Sequence, residues 1–224
     1  MENYVIAIDG PSGAGKSTIA KQLSFDLGIT YLDTGAMYRA VGLYCYRNGI
    51  DIFSGEQLEA NLDKIAIDMG YSNGQTKVIL NGEDVSTAIR ENHISQMASD
   101  VSKLVCVRLA MVEKQREIAS GKSIVMDGRE IGTFVFPDAK VKFYLDATSE
   151  ERADRRHKQL LEKGENIPVE VLKAEIEKRD ENDKNREFAP LKRADDAIFV
   201  DSTHMTLADV VAYMSEKTKE IIAE

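Results

Sequence analysis

The chain has 224 residues, of which 43% are hydrophobic and 30% are charged, as is typical of a globular domain. Its 38 acidic and 29 basic residues give a net charge of −9, which argues against a nucleic-acid polymer as the main partner. No apolar stretch approaches the 18 residues of a membrane span, and the two cysteines are far apart in the chain. We therefore expect a single cytoplasmic domain over residues 1–224 that binds no membrane.

The most informative motif follows the first apolar run. Residues 10–17 match the pattern Gly-x-x-x-x-Gly-Lys-Ser of the phosphate-binding P-loop, and a chance glycine turn is the alternative interpretation. Lys16 is expected to contact the β- and γ-phosphates of a nucleoside triphosphate, and Ser17 is expected to bind Mg²⁺. The predicted nucleotide-binding residues are Gly10, Pro11, Ser12, Gly13, Ala14, Gly15, Lys16, Ser17 and Thr18.

The order of the predicted elements indicates an α/β fold. Strands alternate with helices, which predicts a parallel sheet covered by helices on both faces. The predicted strands are residues 4–8, 30–32, 123–126, 141–146 and 197–200, and the predicted helices are 16–27, 36–47, 56–62, 90–120 (one helix or two), 169–185 and 207–222. Between them, residues 65–71 alternate in polarity, Asn73-Gly74 is a hairpin signal, and 77–80 is the returning strand. This hairpin predicts a small antiparallel β insert, placed within residues 62–100.

An acidic and basic cluster follows one buried strand. Asp127 comes at the end of the run 123–126, where P-loop proteins hold Mg²⁺ through a carboxylate, although such an aspartate is also a common turn former. Arg129 and Glu130 come directly after it. Ligands of open α/β sheets bind at the carboxyl ends of the strands, which favours a functional role for all three.

Two groups of arginines suggest further anion contacts. Arg152, Arg155 and Arg156 share one helical face and predict an arginine-rich helical lid over residues 150–168; a solvated ion-pair face is the alternative. Arg179 and Arg186 flank Asp183 at spacings of four and three residues, which suits two guanidinium groups on phosphates and a carboxylate on ribose hydroxyls. An ordinary ion-paired helix would show the same spacing. Separately, residues 33–39 could bind a mononucleotide phosphate.

Together these blocks resemble the bacterial cytidylate kinase family of the nucleoside monophosphate kinase superfamily. The resemblance runs through nearly the whole chain, and the P-loop alone would indicate only the superfamily. The matching blocks are IDGPSGAGKS (8–17), LDTGAMYR (32–39), LNGEDV (80–85), DGREIGT (127–133), FPDA (136–139) and the pattern over 179–191.

The resemblance implies Mg²⁺-dependent transfer of a phosphoryl group from ATP to CMP or dCMP, with Lys16, Asp127, Arg129, Arg152, Arg155 and Arg156 in catalytic positions and Ser17 and Asp127 at the metal. It also implies substrate-binding roles by position. Thr34, Tyr38 and Arg39 would line the monophosphate site, Ser99 and Arg108 would contact cytosine, Arg129 and Arg186 the phosphate, and Arg179 and Asp183 the sugar and phosphate.

Glu130 departs from the family, which usually has Asp at this position to recognise the base. A carboxylate accepts a hydrogen bond from the amine of cytosine and is unfavourable beside the carbonyl of uracil. Two other classes remain as alternatives: another P-loop small-molecule kinase, acting on UMP, shikimate or dephospho-coenzyme A, or a nucleotide-dependent switch. A monomer is expected.

Overall fold

The computed structural model describes residues 3–72, 75–162 and 164–223, which form two compact units. The first unit contains the chain up to Gly28 and from Val125 onward, and the second contains residues 29–124. Among the described residues no helix is both long enough and apolar enough to span a membrane. The strands are β1 (Val5–Asp9), β2 (Thr30–Asp33), β3 (Ile67–Ser72), β4 (Gln75–Leu80), β5 (Glu83–Asp84), β6 (Ile124–Gly128), β7 (Val141–Asp146) and β8 (Ile198–Asp201).

The helices lie close to the predicted ones, with one clear exception. The predicted helix 56–62 is wrong at its carboxyl end, because the chain leaves the helix after Glu59 and forms a separate 3₁₀ turn at Leu62–Lys64. The α-helices are α1 (Lys16–Leu27), α2 (Thr34–Asn48), α3 (Gly55–Glu59), α4 (Asn92–Val101), α5 (Val105–Ala119), α6 (Ser149–Leu161), α7 (Val169–Asn185) and α8 (Leu207–Ala223).

The main sheet has five strands, and β6, β1, β7 and β8, in that order, are its strands in the first unit. β7 runs parallel to both β1 and β8. Every residue from Val141 to Leu145 is buried, and successive side chains of a strand point to opposite faces. Both faces of β7 are therefore covered, as the sequence predicts for a parallel sheet.

A small antiparallel sheet, β3-β4-β5, belongs to the second unit. In β3 and β4, Ile67 pairs with Leu80 and Met69 with Val78, so the apolar side chains share one face. At the turn into β5, Asn81 and Gly82 both have positive φ, 50° and 86°, as a primed hairpin turn requires. This confirms the predicted antiparallel sheet; the predicted turn at Asn73-Gly74 lies outside the described residues.

α6 and α7 form a helical hairpin with a small apolar core of its own. Ala153 and Leu160 of α6 pack with Leu172 and Ile176 of α7. Thr148 caps the start of α6, where the backbone N–H of Glu151 donates to Thr148 Oγ1 at 3.3 Å. This packing fixes the first turn of α6 and the carboxyl-terminal half of α7 beside the P-loop.

Gly10, the first P-loop residue, has no room for a side chain. It has a φ of +150°, and a Cβ atom there would lie 2.0 Å from the carbonyl oxygen of Leu145 in β7. We expect Gly10→Ala to lower the free energy of unfolding by about 3 kcal/mol or more, because a strand backbone cannot move aside. Chemical denaturation measures this loss.

Gly28→Ala is the matched control. Gly28 also has a positive φ, +65°, but nothing lies within 4 Å of its Cβ position. The expected cost is only the left-handed backbone conformation, about 1 to 2 kcal/mol. Equal losses for the two variants would contradict the steric explanation.

Candidate active site

The P-loop connects β1 to α1 and leaves the first turn of the helix open. Gly13 and Gly15 have φ values of +77° and +91°, and Gly15 caps α1 without a side-chain hydrogen bond. The first turn of α1 contains no acidic residue. Its backbone N–H groups and the positive end of the helix dipole are thus available to an anion, which is the arrangement of a phosphate site.

Lys16 is buried in this loop, with only 5% of its surface exposed. Its Nζ donates a hydrogen bond to the carbonyl oxygen of Pro11 at 2.6 Å. Burial, and next the positive charge of Arg129, lower the pKa of Lys16 to about 7. A polyphosphate beside Nζ would favour the charged form again, so the lysine is suited to an anionic ligand.

Ser17 and Asp127 provide a pair of oxygen ligands. Ser17 Oγ donates to Asp127 Oδ2 at 2.7 Å, and Asp127 is at the carboxyl-terminal end of the buried strand β6. Mg²⁺ is usually bound by one or two protein oxygens together with phosphates and water. A hydroxyl and a carboxylate at this spacing fit such an ion, and the metal site stays a prediction.

Two ion pairs link the segment after β6 to the end of α7. Arg129 Nε donates to Asp183 Oδ2, and Arg186 Nη2 donates to Glu130 Oε2, both at 2.8 Å. Burial disfavours the charge of Arg129, but Asp183 outweighs that and raises the Arg129 pKa. For Asp183, burial is again the largest influence, yet Arg129 and Arg179 hold its pKa below the usual value. The structure therefore brings together four of the predicted substrate-binding residues in two ion pairs.

Arg186 differs from the prediction in one respect. It does not share a helical face with Arg179 and Asp183, because α7 ends at Asn185 and Arg186 has an extended backbone. Its Nε instead donates to the carbonyl oxygen of Ala189 at 2.7 Å, and Ala189 has a positive φ of 46°. The side chain reaches Glu130 from this turn and not from the helix.

The three lid arginines have three different environments, although their spacing places them on one face of α6. Arg152 is buried; its Nη1 donates to the carbonyl oxygen of Ser12 at 2.7 Å and pairs with Asp180 at 2.6 Å. Asp180 Oδ1 accepts the N–H of Ser12 at 3.1 Å, so the pair binds both backbone groups of this P-loop residue. Arg152 thus supports the P-loop directly.

Arg155 and Arg156 are more exposed. Arg155 donates to Ser202 Oγ, to the Ser202 carbonyl oxygen and to Glu151. Arg156 is exposed and has no hydrogen bond or ion pair with any residue in the described ranges. Of the three arginines, Arg152 and Arg155 already have partners within the protein, and Arg156 has none among the described residues.

The second unit contains the other predicted substrate residues on α2, α4 and α5. Asp33 caps α2 by accepting the N–H of Ala36 at 2.8 Å and also pairs with Arg39 Nη2 at 2.9 Å. The Nε of Arg39 is buried and has no hydrogen-bond partner within the described part of the chain. A buried guanidinium donor without an acceptor is suited to an incoming anion. Thr34 and Tyr38 are buried on the same helix.

Ser99 and Arg108 are connected through the turn between α4 and α5. Ser102 Oγ donates to the carbonyl oxygen of Ser99 at 2.8 Å, and the carbonyl oxygen of Ser102 accepts from Arg108 Nη1 at 3.2 Å. Arg108 is 1% exposed and lies over the ring of Tyr38, 5.9 Å from its centroid. Tyr38 and Arg108, predicted from separate motifs, are therefore in contact.

Sequence reasoning missed two buried acids, Asp9 and Asp180. Asp180 falls in the apolar series Leu172, Ile176 and Asp180 along α7, and an acid at a core position is itself a signal. Asp9 ends the apolar strand directly before the P-loop, and its two oxygens accept the N–H groups of Ile131 and Gly132. Both acids bind backbone groups of loops that contain predicted site residues.

Comparison with known proteins decides the family. The cytidylate kinase family model matches residues 6–220. A cytidylate kinase from Caldicellulosiruptor bescii is 46% identical over 99% of this chain and 98% of its own length, and one from Shouchella clausii is 47% identical over 98% and 97%. The chain belongs to the cytidylate kinase family. Like other members of this family, it is a kinase.

The fold also recurs in a solved structure. An uncharacterised protein from Eubacterium ventriosum is 12% identical, with a TM-score of 0.50, and the match covers 99% of this chain and all of that protein. At this identity the likeness concerns the fold alone. For this cytidylate kinase family member, the match over residues 6–220 includes the P-loop, both arginine groups and the segment after β6.

The Arg152–Asp180 pair gives a prediction for stability. We expect Arg152→Met to lower the free energy of unfolding by about 3 to 5 kcal/mol, because it leaves the buried carboxylate of Asp180 without its cation. Arg156→Met, four residues further along α6, makes the same chemical change at an exposed side chain and should alter stability by less than about 0.5 kcal/mol. Urea denaturation of both variants measures the difference, and similar losses would show that the buried pair does not stabilise the fold.

Proposed function

We propose that the chain transfers the γ-phosphoryl group of ATP to CMP and dCMP, giving ADP and CDP or dCDP. The cytidylate kinase match over residues 6–220 is the main support. It includes a donor loop with an open helix N-terminus and, in the same unit, a cluster of arginines and acids at Arg129, Glu130, Asp183 and Arg186. The two features provide for a triphosphate donor and a charged acceptor.

The donor is proposed to bind along the P-loop, residues 10–18. Backbone N–H groups of Gly13, Gly15 and the first turn of α1 would contact its phosphates, with Lys16 at the β- and γ-phosphates. Ser17 and Asp127 would hold Mg²⁺, which supplies positive charge to the bridging phosphate oxygens. Arg152 would hold the loop in position through its hydrogen bond to the carbonyl oxygen of Ser12.

The acceptor contacts are proposed residue by residue from the family resemblance. Thr34, Tyr38 and Arg39 would bind the monophosphate, and the buried Nε of Arg39 supports this role. Ser99 and Arg108 would contact the cytosine. Arg129 and Arg186 would bind the phosphate, and Arg179 with Asp183 the sugar and phosphate.

Glu130 is proposed to recognise the amine of cytosine. It is 3% exposed and held by Arg186, so its carboxylate is in a fixed position away from bulk water. A carboxylate accepts from an amine and is unfavourable beside a carbonyl, which distinguishes cytosine from uracil.

The reaction needs no strong general base, because the monophosphate is itself an anionic nucleophile at neutral pH. Positioning and charge neutralisation would provide most of the rate acceleration. Lys16, Arg129 and the lid arginines Arg155 and Arg156 are proposed to neutralise the transferring group. We also propose a monomer in the cytoplasm, a location consistent with the free thiols of Cys45 and Cys106.

An acceptor screen tests this function. With ATP and Mg²⁺, we expect ADP formation to depend on CMP or dCMP, with UMP and AMP at least about tenfold poorer in kcat/KM. A coupled ADP assay on the full chain measures each acceptor, with shikimate and dephospho-coenzyme A included. Preference for any of these other acceptors would assign a different kinase, and ATP hydrolysis unaffected by every acceptor would favour a nucleotide-dependent switch.

Glu130→Gln tests base recognition. The amide would present an N–H donor where cytosine presents its own, so the CMP:UMP ratio of kcat/KM should fall by about tenfold or more. Glu216→Gln, which makes the same change at an exposed position of α8, should leave the ratio unchanged. Thermal melting of both variants excludes unfolding as the cause. An unchanged ratio in folded Glu130→Gln would assign recognition of the base to other residues.

A further inference from the structure

Asp9 is a buried carboxylate to which neither the motifs nor the proposed reaction assigns a role. It is the last residue of β1, 4% exposed, and directly precedes Gly10 of the P-loop. Both of its oxygens are used: Oδ1 accepts the N–H of Ile131 at 2.8 Å, and Oδ2 accepts the N–H of Gly132 at 2.7 Å. Asp9 therefore joins the strand before the P-loop to the segment after β6.

The segment that Asp9 holds is a short π-helical turn, Ile131–Val135. Glu130 caps this turn, and its carbonyl oxygen accepts from the N–H groups of Phe134 and Val135. π-helical turns are rare and often occur at functional sites. The N–H groups of Ile131 and Gly132, at the start of this turn, both donate to the Asp9 carboxylate.

Both ends of this connection are rigidly placed. On the β1 side, Gly10 is packed so tightly against the Leu145 carbonyl that it cannot bear a side chain. On the other side, a Cβ at Gly132 would lie 3.2 Å from the Lys142 side chain, so this backbone is also closely packed. The Asp9 carboxylate thus holds the backbone of Ile131 and Gly132 in place against β1. Because Glu130 directly precedes Ile131, this also determines the direction in which the Glu130 side chain leaves the backbone.

We propose that Asp9 is a positioning residue that fixes the Glu130 side chain and thereby sets the preference for cytosine over uracil. This inference rests on the proposed role of Glu130 in base recognition. Asp9 itself contacts backbone only and acts through Ile131 and Gly132. Its influence should therefore be larger on the choice of acceptor than on the use of ATP.

Asp9→Asn tests this directly. The amide oxygen can still accept one backbone N–H, but the amide NH₂ then faces the other N–H, so one of the two bonds is lost. We expect the CMP:UMP ratio of kcat/KM to fall by about tenfold, with KM for ATP changed by less than about twofold. Asp26→Asn is the matched control, since Asp26 is exposed at the far end of α1 and accepts a hydrogen bond from the side chain of Gln22.

A second readout uses the unmodified chain. Burial raises the pKa of Asp9 to about 7, against the two backbone hydrogen bonds and Lys16, which lower it, while Glu130 raises it further. On the neighbouring strand β7, Tyr144 is paired with Asp9 and has a raised pKa of about 12, which keeps it neutral, and Lys142 donates to Asp196. When Asp9 is protonated, its O–H would face one of the two backbone N–H groups, so one hydrogen bond would be lost. The amide NH₂ of the Asn variant has the same effect.

The CMP:UMP ratio of the unmodified chain should therefore fall as the pH decreases from about 8 to about 6, towards the value of Asp9→Asn. The ratio of the variant should be flat over the same range. Titration of Lys16 and of the substrate phosphates affects both acceptors alike and cancels in the ratio. This measurement needs no substitution, so it decides the matter even if Asp9→Asn does not fold.

The outcomes separate the inference from the function on which it rests. An unmodified chain that phosphorylates CMP with a ratio independent of pH, or a folded Asp9→Asn with the original ratio, overturns the role of Asp9 alone. A uniform loss of kcat for both acceptors at constant ratio would show that Asp9 is only structural. No phosphorylation of either nucleotide by the unmodified chain overturns the proposed function and this inference together.

Discussion

Charged side chains at the carboxyl ends of buried parallel strands must be paired, and most of the candidate site follows from this constraint. A phosphate site needs cations, but burial in a low-dielectric environment disfavours them, as the lowered pKa of Lys16 shows. Arg129 and Arg186 lie within hydrogen-bond distance of Asp183 and Glu130, which compensate the buried positive charges. The acids thus hold the arginines in position before any ligand arrives, which reduces the reorganisation needed on binding.

The same principle applies to the loop itself. The backbone of Ser12 is held on both sides by the Arg152–Asp180 pair, and the strand before the loop ends in Asp9, which holds the next loop. Buried ion pairs contribute little net stability compared with apolar packing, but they specify one geometry. Here they specify the positions of two loops. One is the P-loop, which is the proposed donor site, and the other is the segment after β6 that contains Glu130, the proposed base-recognition residue.

Much of this arrangement could be predicted from the sequence, and the exceptions have physical reasons. The P-loop, the strand-helix alternation and the boundaries of α1 and α7 follow from local patterns, because glycine spacing and hydrophobic period are properties of neighbouring residues. The partners of Arg152 and Arg155 could not be predicted, since Asp180 and Ser202 come from distant segments. Arg186 was grouped with Arg179 and Asp183 by spacing alone, although the helix ends one residue before it, at Asn185. The site roles of these residues stay predictions.

The hairpin of α6 and α7 has a consequence for how the chain tolerates change. The Arg152–Asp180 pair joins the start of α6 to the carboxyl-terminal half of α7, while the connection between the helices lies at the other end of the hairpin. From Arg152 to the end of α6 at Leu161 the helix rises about 14 Å. Variation in the length of that connection is therefore separated from the P-loop by more than two helical turns. This end of the hairpin is where related chains can gain or lose residues, and where a tag or a second domain can be inserted, at least cost to the site.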